Sequence, residues 1–370
     1  MNILLDARPA LGGMARYVDA LLTQLERVLP PGSVRAYGRA GRRGAGRAGQ
    51  ILPPAAQGLA RRLAGLPWRI LDDQALLPLR AARWRANLFH AAFGVIPAGL
   101  RIPAVVTFYD SWALTHPQER PPGPRALYER RALRAALRRA AQVIAISRAM
   151  ARELTASLGL DPSRVTTIYP VLAEPPPPDA RTPERLGLQL PFWLSVGTLE
   201  PRKNQCALIA AQRAAWRQTG MPLVLAGARG WRDEPIVAAA AAAGPAVRLT
   251  GYVSDAELAW LYGQASALVQ FSRYEGFDYP VAEALRAGLP LILSDIEAHR
   301  ELAGEAAVYV PPDAPETLTK ALVRVLERSE AERARQASRA RERFDDIRGL
   351  GAVERYLDCY RRVCGSAPPP

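Results

Sequence analysis

The sequence predicts an α/β protein of two lobes, each built around a parallel β-sheet. Its 370 residues exceed what one ordinary hydrophobic core accommodates, which favours two domains. Short apolar runs alternate with helical patterns in the first half, and the alternation starts again in the second half. Between the halves, Glu174-Pro-Pro-Pro-Pro178 reads as a stiff, extended connector. We therefore predict a first lobe over 1–174, a second over 175–350, and a C-terminal helix and tail over 351–370.

The first lobe is predicted from apolar strand runs and two helical patterns. The strands are expected at 2–6, 87–90, 104–109 and 142–146, and the helices at 17–29 and 125–141. Gly12 and Gly13 separate the first strand from its helix, where they either let a ligand approach the backbone or only form a tight turn. The arginine-rich helix at 125–141 suits either an anionic membrane surface or a surface position on the sheet.

The second lobe repeats the pattern with six apolar runs. These strands are expected at 192–197, 222–227, 246–250, 266–271, 289–294 and 307–310. From 316 onward the chain is mostly helical, and the apolar spacing at 352–363 suits a helix that packs back on the first lobe. Two such lobes would form a cleft between their sheet ends, a usual place for a small-molecule site.

Charge and cysteine usage limit the class of partner and the compartment. The net charge of +14 favours anionic partners, and lysine occurs only at Lys203 and Lys320 in a chain otherwise rich in arginine. We therefore interpret the lysine at position 203 as selected for its compact charge. The three cysteines lack metal-ligand spacing, which indicates a reducing, cytoplasmic compartment. We expect neither a signal peptide nor a membrane span, because the chain opens on a strand and lacks a run of about 18 apolar residues.

One glycine-rich segment imitates a dinucleotide-binding motif. Gly44, Gly46 and Gly49 match G-x-G-x-x-G, but no strand leads into them and Pro53-Pro54 would break the helix that should follow. We interpret this segment as a basic loop.

The strongest candidate site is the stretch 272–290, between the strands at 266–271 and 289–294. Pro280 suits the first turn of a helix that ends at Gly288. Glu275 and Glu283 lie on either side of the helix start, and free backbone N–H groups there can bind a phosphate. The pair is equally consistent with solvated surface charges. Other ligand contacts are expected where strands end, at Tyr109-Asp110 and at Ser147.

Several motifs together resemble the family 4 retaining glycosyltransferases of the GT-B fold. In the second lobe these are Gly197-Thr-Leu-Glu-Pro-Arg-Lys-Asn204, Gly251-Tyr-Val-Ser-Asp-Ala-Glu-Leu258, Tyr274-Glu-Gly-Phe-Asp-Tyr-Pro-Val-Ala-Glu-Ala-Leu285 and Ser294-Asp-Ile-Glu-Ala-His-Arg-Glu-Leu-Ala-Gly304. Gly12-Gly13 and Val143-Ile-Ala-Ile-Ser147 fit the same family. The resemblance implies two Rossmann-like lobes facing across a cleft, with the acceptor bound by the first and a nucleotide-diphospho-sugar by the second.

The resemblance also implies roles for individual residues. Arg202 and Lys203 would stabilise the diphosphate as charge develops on it, and Glu275 would contact donor-sugar hydroxyls near the reacting carbon. Glu283 would hold the ribose hydroxyls. Retaining members react on one face of the sugar with help from a donor phosphate oxygen, so that neither a metal nor a covalent nucleophile is needed. The other residues assigned to substrate binding are Gly12, Gly13, Tyr109, Asp110, Ser147, Thr198, Gly276, Phe277, Asp278 and Tyr279.

Three positions depart from the family pattern. Tyr109 stands where the family often has histidine; it keeps a hydroxyl but does not titrate near neutral pH. Ala15 stands where a second loop glycine is common. Asp278 replaces the usual glycine of Glu-Gly-Phe-Gly, either as a helix N-cap that competes with phosphate or as a contact to a sugar hydroxyl, the alternative we favour.

These observations predict a metal-independent retaining hexosyltransferase. It would transfer a hexose such as mannose from a GDP- or UDP-linked donor to a hydroxyl of a glycan or lipid-linked glycan, in the cytoplasm or on the inner face of the plasma membrane. We expect no cofactor and no nucleic acid. Two alternatives remain open: a GT-B epimerase acting on a sugar nucleotide, and a transferase-like subunit that has lost catalysis and serves as a scaffold.

Overall fold

The computed structural model describes residues 1–7, 13–37, 70–119 and 123–365, which divide into two compact units. The first unit comprises 1–172 together with 350–370, and the second comprises 173–349. The predicted lobe limits at 174 and 350 fall within a few residues of these divisions. The predicted glycine-rich loop at 44–49 and Gly12 lie outside the described residues.

The first unit is built on a parallel sheet with the strand order β2-β1-β3-β4-β5-β6. Its strands are β1 Ile3–Asp6, β2 Val34–Tyr37, β3 Leu88–Ala91, β4 Ala104–Phe108, β5 Gln142–Ala145 and β6 Val165–Thr167. Its helices before the second unit are α1 Gly13–Val28, α2 Leu77–Arg83, α3 Trp112–Thr115, α4 Pro124–Arg139 and α5 Arg148–Arg152. The apolar side chains Val18, Leu21, Leu22 and Leu25 of α1 are buried and dock this helix on the sheet, whereas Val28 at its end is exposed.

The second unit has a parallel sheet in the order β12-β11-β10-β7-β8-β9. Its strands are β7 Trp193–Val196, β8 Leu223–Ala226, β9 Val247–Gly251, β10 Ala267–Gln270, β11 Leu291–Ser294 and β12 Ala307–Val310. Its helices are α6 Thr182–Leu186, α7 Gln205–Thr219, α8 Glu234–Ala243, α9 Asp255–Gln264, α10 Tyr279–Ala287, α11 Glu297–Ala303, α12 Pro315–Leu326 and α13 Glu330–Leu350. The strand order reverses between β7 and β10. At such a switch point the loops that follow the two strands diverge, and an open α/β sheet binds its ligand between them.

The final helix, α14 (Val353–Gly365), belongs to the first unit, as predicted. Tyr356 donates a hydrogen bond from its hydroxyl to the carbonyl oxygen of Tyr169 at 3.2 Å, and the Tyr360 hydroxyl lies 2.7 Å from Nδ1 of His90. Both tyrosines are fully buried, so the last helix completes the core of the first lobe.

The predicted fold class is confirmed, and ten strands lie where the sequence predicted them. The sequence analysis missed β2 and β6. Both are short. Only two of the four residues of β2 are buried, and all three residues of β6 are only partly buried, so neither shows the continuous apolar run that marks a central strand. Within the part of the chain that the structure describes, no helix is both long and apolar enough to cross a membrane.

Candidate active site

The loops that follow β7 and β10 come together at the switch point of the second unit. The loop after β7 contains a 3₁₀ turn, Pro201–Lys203, and the loop after β10 leads to α10. The backbone N–H of Arg273 donates to the carbonyl oxygen of Arg202 at 2.9 Å and joins the two loops. A Cβ at Gly227 would lie 2.0 Å from the Gly197 carbonyl oxygen, so glycine is required where the β7 and β8 loops touch.

Arg202 is held in a fixed orientation by both loops. Its guanidinium donates to Glu200 Oε1 from Nε at 3.1 Å and from Nη2 at 2.6 Å. Nη1 donates to the Tyr274 carbonyl oxygen at 2.9 Å and to Glu275 Oε2 at 2.7 Å. Trp231 in turn donates from its indole nitrogen to the second oxygen of Glu200 at 3.1 Å. This arrangement fixes a planar cation against the loop that carries Glu275.

Lys203 lies between two carboxylates. Its Nζ is 2.5 Å from Glu275 Oε1 and 3.7 Å from Asp278 Oδ1. Burial by itself lowers the pKa of Lys203, but Asp278 and Glu275 outweigh it and raise the pKa overall. The side chain is 12% exposed, and its raised pKa keeps it an ammonium at neutral pH.

Glu275 is an ionised acceptor. Burial would raise its pKa, but the charges of Arg202 and Lys203 and hydrogen bonds from Lys203 and Ser272 lower the pKa to about 2. At neutral pH this carboxylate can accept hydrogen bonds from hydroxyl groups but has no proton to donate, which excludes it as a general acid.

Asp278 directs its carboxylate into the protein. The residue occupies the N-cap position of α10, but its side chain makes no capping hydrogen bond. Its side chain is fully buried, and Oδ2 lies 3.0 Å from Nε2 of His299. Gln270 donates to both carboxylate oxygens at 3.3 Å. The carboxylate therefore does not cap α10, and because it is buried, the geometry does not support the expected contact with a sugar hydroxyl.

The second predicted carboxylate, Glu283, lies on α10. It is half-buried, and its Oε2 accepts a hydrogen bond from the Tyr262 hydroxyl at 2.8 Å. Phe277 is buried and packs edge-on against the Tyr279 ring at 5.5 Å between centroids. Gly276 is also buried, whereas Thr198 is exposed and uses its carbonyl oxygen to accept from Gln205. The structure thus gathers Arg202, Lys203, Glu275 and Asp278 into one cluster, with Glu283 on the helix that follows.

The predicted residues of the first unit lie at the ends of its strands. Tyr109 packs edge-on against Tyr17 with 5.3 Å between ring centroids. The Asp110 carboxylate accepts from the Trp112 backbone N–H at 3.1 Å, and Ser147 caps α5 by accepting from the Met150 N–H at 3.0 Å. Gly13 is the first residue of α1. Asp110 and Ser147 therefore have local structural roles of their own.

Sequence reasoning missed three residues of the cluster. Glu200 and His299 both stand in motifs quoted above but received no role there, although His299 is one of only three histidines in the chain. Gln270 ends the apolar run of β10, and a polar side chain at the end of a buried strand indicates a candidate site residue. Within the described residues, no group of three or more histidine, cysteine, aspartate or glutamate side chains could hold a metal ion.

A match to glycosyltransferase families covers both units. The sequence profile described as "Glycosyltransferase Family 4" matches residues 11–172, and the one described as "Glycosyl transferases group 1" matches 191–328. The fold and the cationic cluster at its switch point thus define a GT-B glycosyltransferase. The chain belongs to family 4 of these enzymes, as the resemblance of its motifs implied.

Two relatives and one solved structure are similar to the chain. It is 29% identical to O-antigen chain mannosyltransferase B of Escherichia coli over 70% of this chain and 71% of that protein. It is 37% identical to the GDP-mannose:cellobiosyl-diphosphopolyprenol alpha-mannosyltransferase of Komagataeibacter xylinus over 33% of this chain and 32% of that one. The solved structure of HepE from Anabaena in complex with UDP-glucose shares the fold, with a TM-score of 0.68, 18% identity and 99% of each chain covered.

Proposed function

We propose that this chain is a retaining mannosyltransferase. It takes mannose from a nucleotide-diphospho-sugar and transfers it to a hydroxyl of a glycan or lipid-linked glycan. The observation that carries the proposal is the cluster at the switch point of the second unit, where Arg202 and Lys203 present two fixed cations beside the ionised carboxylate of Glu275. Two cations suit a diphosphate, and an ionised carboxylate beside them suits the hydroxyls of the attached sugar.

This arrangement stabilises the charge that develops during transfer. As the bond between the sugar C1 and the diphosphate oxygen breaks, its electron pair moves onto the diphosphate, which Lys203 and Arg202 neutralise. The acceptor hydroxyl attacks C1 from the face that the diphosphate leaves, and its proton passes to a phosphate oxygen. Because the two side chains supply the positive charge, we propose that no metal or other cofactor is required.

The choice of mannose rests on the named relatives. The E. coli relative is a mannosyltransferase, and the K. xylinus relative is named for GDP-mannose. HepE is solved with UDP-glucose. We therefore propose GDP-mannose as the donor, with UDP-sugars as the competing choice that the test includes.

We propose an acceptor at a membrane surface. The E. coli relative is named for the O-antigen chain. The first lobe carries exposed arginines on α4 that suit anionic lipid, and a lipid-linked acceptor would be reached at the inner face of the plasma membrane.

The test is transfer from a panel of sugar nucleotides. The purified chain is incubated with GDP-mannose, UDP-glucose and other donors, with and without polyprenyl-diphosphate-linked glycans, in the presence of EDTA. We expect release of GDP, and NMR of the product should show the same anomeric configuration as the donor. Lys203→Ala should lower turnover about 100-fold or more, because it removes a fixed charge from the leaving group.

Lys320 provides the matched control, since it is the only other lysine in the sequence and is exposed on α12. Lys320→Ala should retain full activity. An inverted product would contradict the retaining mechanism, and loss of turnover in EDTA that Mg²⁺ restores would contradict metal independence. Conversion of the donor to an epimer without transfer would replace the proposal with the epimerase alternative. If no donor is bound or turned over, the scaffold alternative stands.

A further inference from the structure

We infer that Asp278 and His299 form a charged pair that positions Lys203, with the carboxylate ionised and the imidazole carrying a proton on both ring nitrogens. The inference deepens the proposed function and rests on it for the role of Lys203. Neither residue would touch the substrate. Asp278 would hold the ammonium in place while Glu275 is engaged by the donor sugar, and His299 would balance the charge of Asp278.

The backbone at Asp278 has an uncommon conformation for a residue with a side chain. Its φ of 72° lies in the left-handed region, which costs an L-residue about 1–2 kcal/mol and which aspartate adopts more often than most residues when its side chain hydrogen-bonds nearby. The side chain does not offset this cost by capping α10. What it forms instead are inward contacts to Gln270, His299 and Lys203. The conformation thus directs the Asp278 carboxylate into the protein, toward Lys203 and His299.

The surroundings of His299 determine where its protons are. Nδ1 lies 3.0 Å from the carbonyl oxygen of Ser294 and 3.1 Å from the Ser294 hydroxyl oxygen. That hydroxyl donates its single proton to the carbonyl oxygen of Ser272 at 2.5 Å, so it can only accept from the imidazole. Both neighbours of Nδ1 are therefore acceptors, and Nδ1 must carry a proton.

The second ring nitrogen also faces an acceptor. Nε2 lies 3.0 Å from Asp278 Oδ2, and both side chains are fully buried. A hydrogen bond here requires one proton between the two groups. Lys203 lies 3.7 Å from the other oxygen of Asp278 and favours the ionised carboxylate, so the proton belongs to the imidazole.

The pair changes what the cluster can offer a ligand. Glu275 contacts both Arg202 and Lys203 in this structure. When sugar hydroxyls compete for Glu275, Asp278 remains as the carboxylate that holds Lys203. The positive charge of His299 balances the negative charge of Asp278. The cluster therefore keeps its contact with Lys203 without adding net negative charge beside a diphosphate.

Two substitutions should therefore change ligand affinity in opposite directions. Asp278→Asn keeps an oxygen for His299 and suits the left-handed backbone, but removes a negative charge. We expect it to bind GDP about threefold to tenfold more tightly and to lower kcat, because Lys203 loses its anchor. His299→Gln leaves the Asp278 charge without its counter-charge and should weaken GDP binding by a similar factor.

Calorimetric titration with GDP and steady-state kinetics measure these effects, and melting curves establish that each variant is folded. Asp345→Asn, an exposed substitution on α13, is the matched control and should leave both quantities unchanged. A purely structural role would weaken binding in both variants, so parallel losses would overturn the inference.

Nitrogen-15 NMR of the histidine rings tests the pair without any ligand. With only three histidines in the chain, His299→Gln assigns the signal. We expect both ring nitrogens of His299 to be protonated at neutral pH, and a neutral ring would overturn the pair. If wild-type protein binds no sugar nucleotide, the proposed function fails and the role toward Lys203 fails with it, while the NMR result still decides whether the charged pair exists.

Discussion

His90 is a buried residue on which the first lobe depends. Its Nδ1 lies 2.7 Å from the Tyr360 hydroxyl, and its Nε2 lies 2.7 Å from the Thr107 hydroxyl, which is itself 2.7 Å from the hydroxyl of Tyr17. Burial lowers the pKa of His90 to about 3. Its hydrogen-bond partners are hydroxyl groups, which carry no negative charge that could offset the cost of desolvation. The imidazole is thus neutral in the folded protein.

This shift predicts acid sensitivity of the first lobe. In the unfolded chain His90 titrates near 6.5, so below that pH the unfolded state binds a proton that the folded state does not. The contribution of His90 to the free energy of unfolding is fully present above pH 6.5 and is lost progressively as the pH decreases toward 3. Between pH 6.5 and 5 we expect a loss of about 2 kcal/mol, measured by denaturant unfolding.

The comparison of two histidine variants isolates the effect. His90→Gln should unfold more easily at pH 7 but lose little further stability between pH 6.5 and 5. His116→Gln, at a partly exposed position, should keep the wild-type slope. An equal slope in wild type and His90→Gln would contradict the assignment.

Among the elements, α4 shows how an arginine-rich helix divides its charges between structure and surface. Arg139 donates to the carbonyl oxygens of Ile96, Pro97, Ala98 and Leu100 and so fastens the loop before β4. Arg164 donates to the last carbonyl oxygens of the helix. Arg131 and Arg134 are exposed and share one face, so they are available to an anionic surface.

Removal of these two charges should weaken membrane binding. In sedimentation with vesicles of anionic phospholipid, Arg131→Gln/Arg134→Gln should bind about 30-fold more weakly than wild type, from about 1 kcal/mol per charge. The control is Arg335→Gln/Arg339→Gln, which removes two exposed arginines from α13. Equal losses in both variants would indicate attraction by net charge alone, and no loss in either would exclude α4 as the membrane surface.

At the scale of the whole molecule, the first unit depends on a helix that follows the second unit in sequence. Residues 350–370 belong with 1–172, and α14 buries Tyr356, Leu357, Tyr360 and Val363. Each such side chain contributes about 1.5–3 kcal/mol by burial, which together is comparable to the stability of a typical domain.

A chain ended after Leu350 should therefore lose the first lobe selectively. Hydrogen exchange measured by mass spectrometry should show fast exchange throughout the described parts of 1–172, while amides of 173–349 stay protected and serve as the internal control. Tyr356→Phe, which removes the hydroxyl that donates to the Tyr169 carbonyl oxygen but keeps the buried ring, should remain protected throughout. Unchanged protection of the first lobe after truncation would contradict this prediction.

The sequence predicted most of the architecture but only part of the candidate site. Strands such as β10 and β11 are continuous apolar runs, which a single sequence reveals. The proximity of Arg202, Lys203 and Glu275 was accessible through the resemblance and through the rule for switch points. The contact between Asp278 and His299 was not accessible, because it depends on a left-handed backbone at position 278 that turns the carboxylate inward.

The return of α14 to the first lobe also constrains the order of events during synthesis. Ribosomes release the chain from its N-terminus, so 173–349 emerges as one uninterrupted segment before α14 exists. The second lobe can acquire its native contacts while His90 still lacks Tyr360 and Tyr169 still lacks Tyr356. The nascent protein therefore completes its second lobe first, although that lobe is encoded after most of the first.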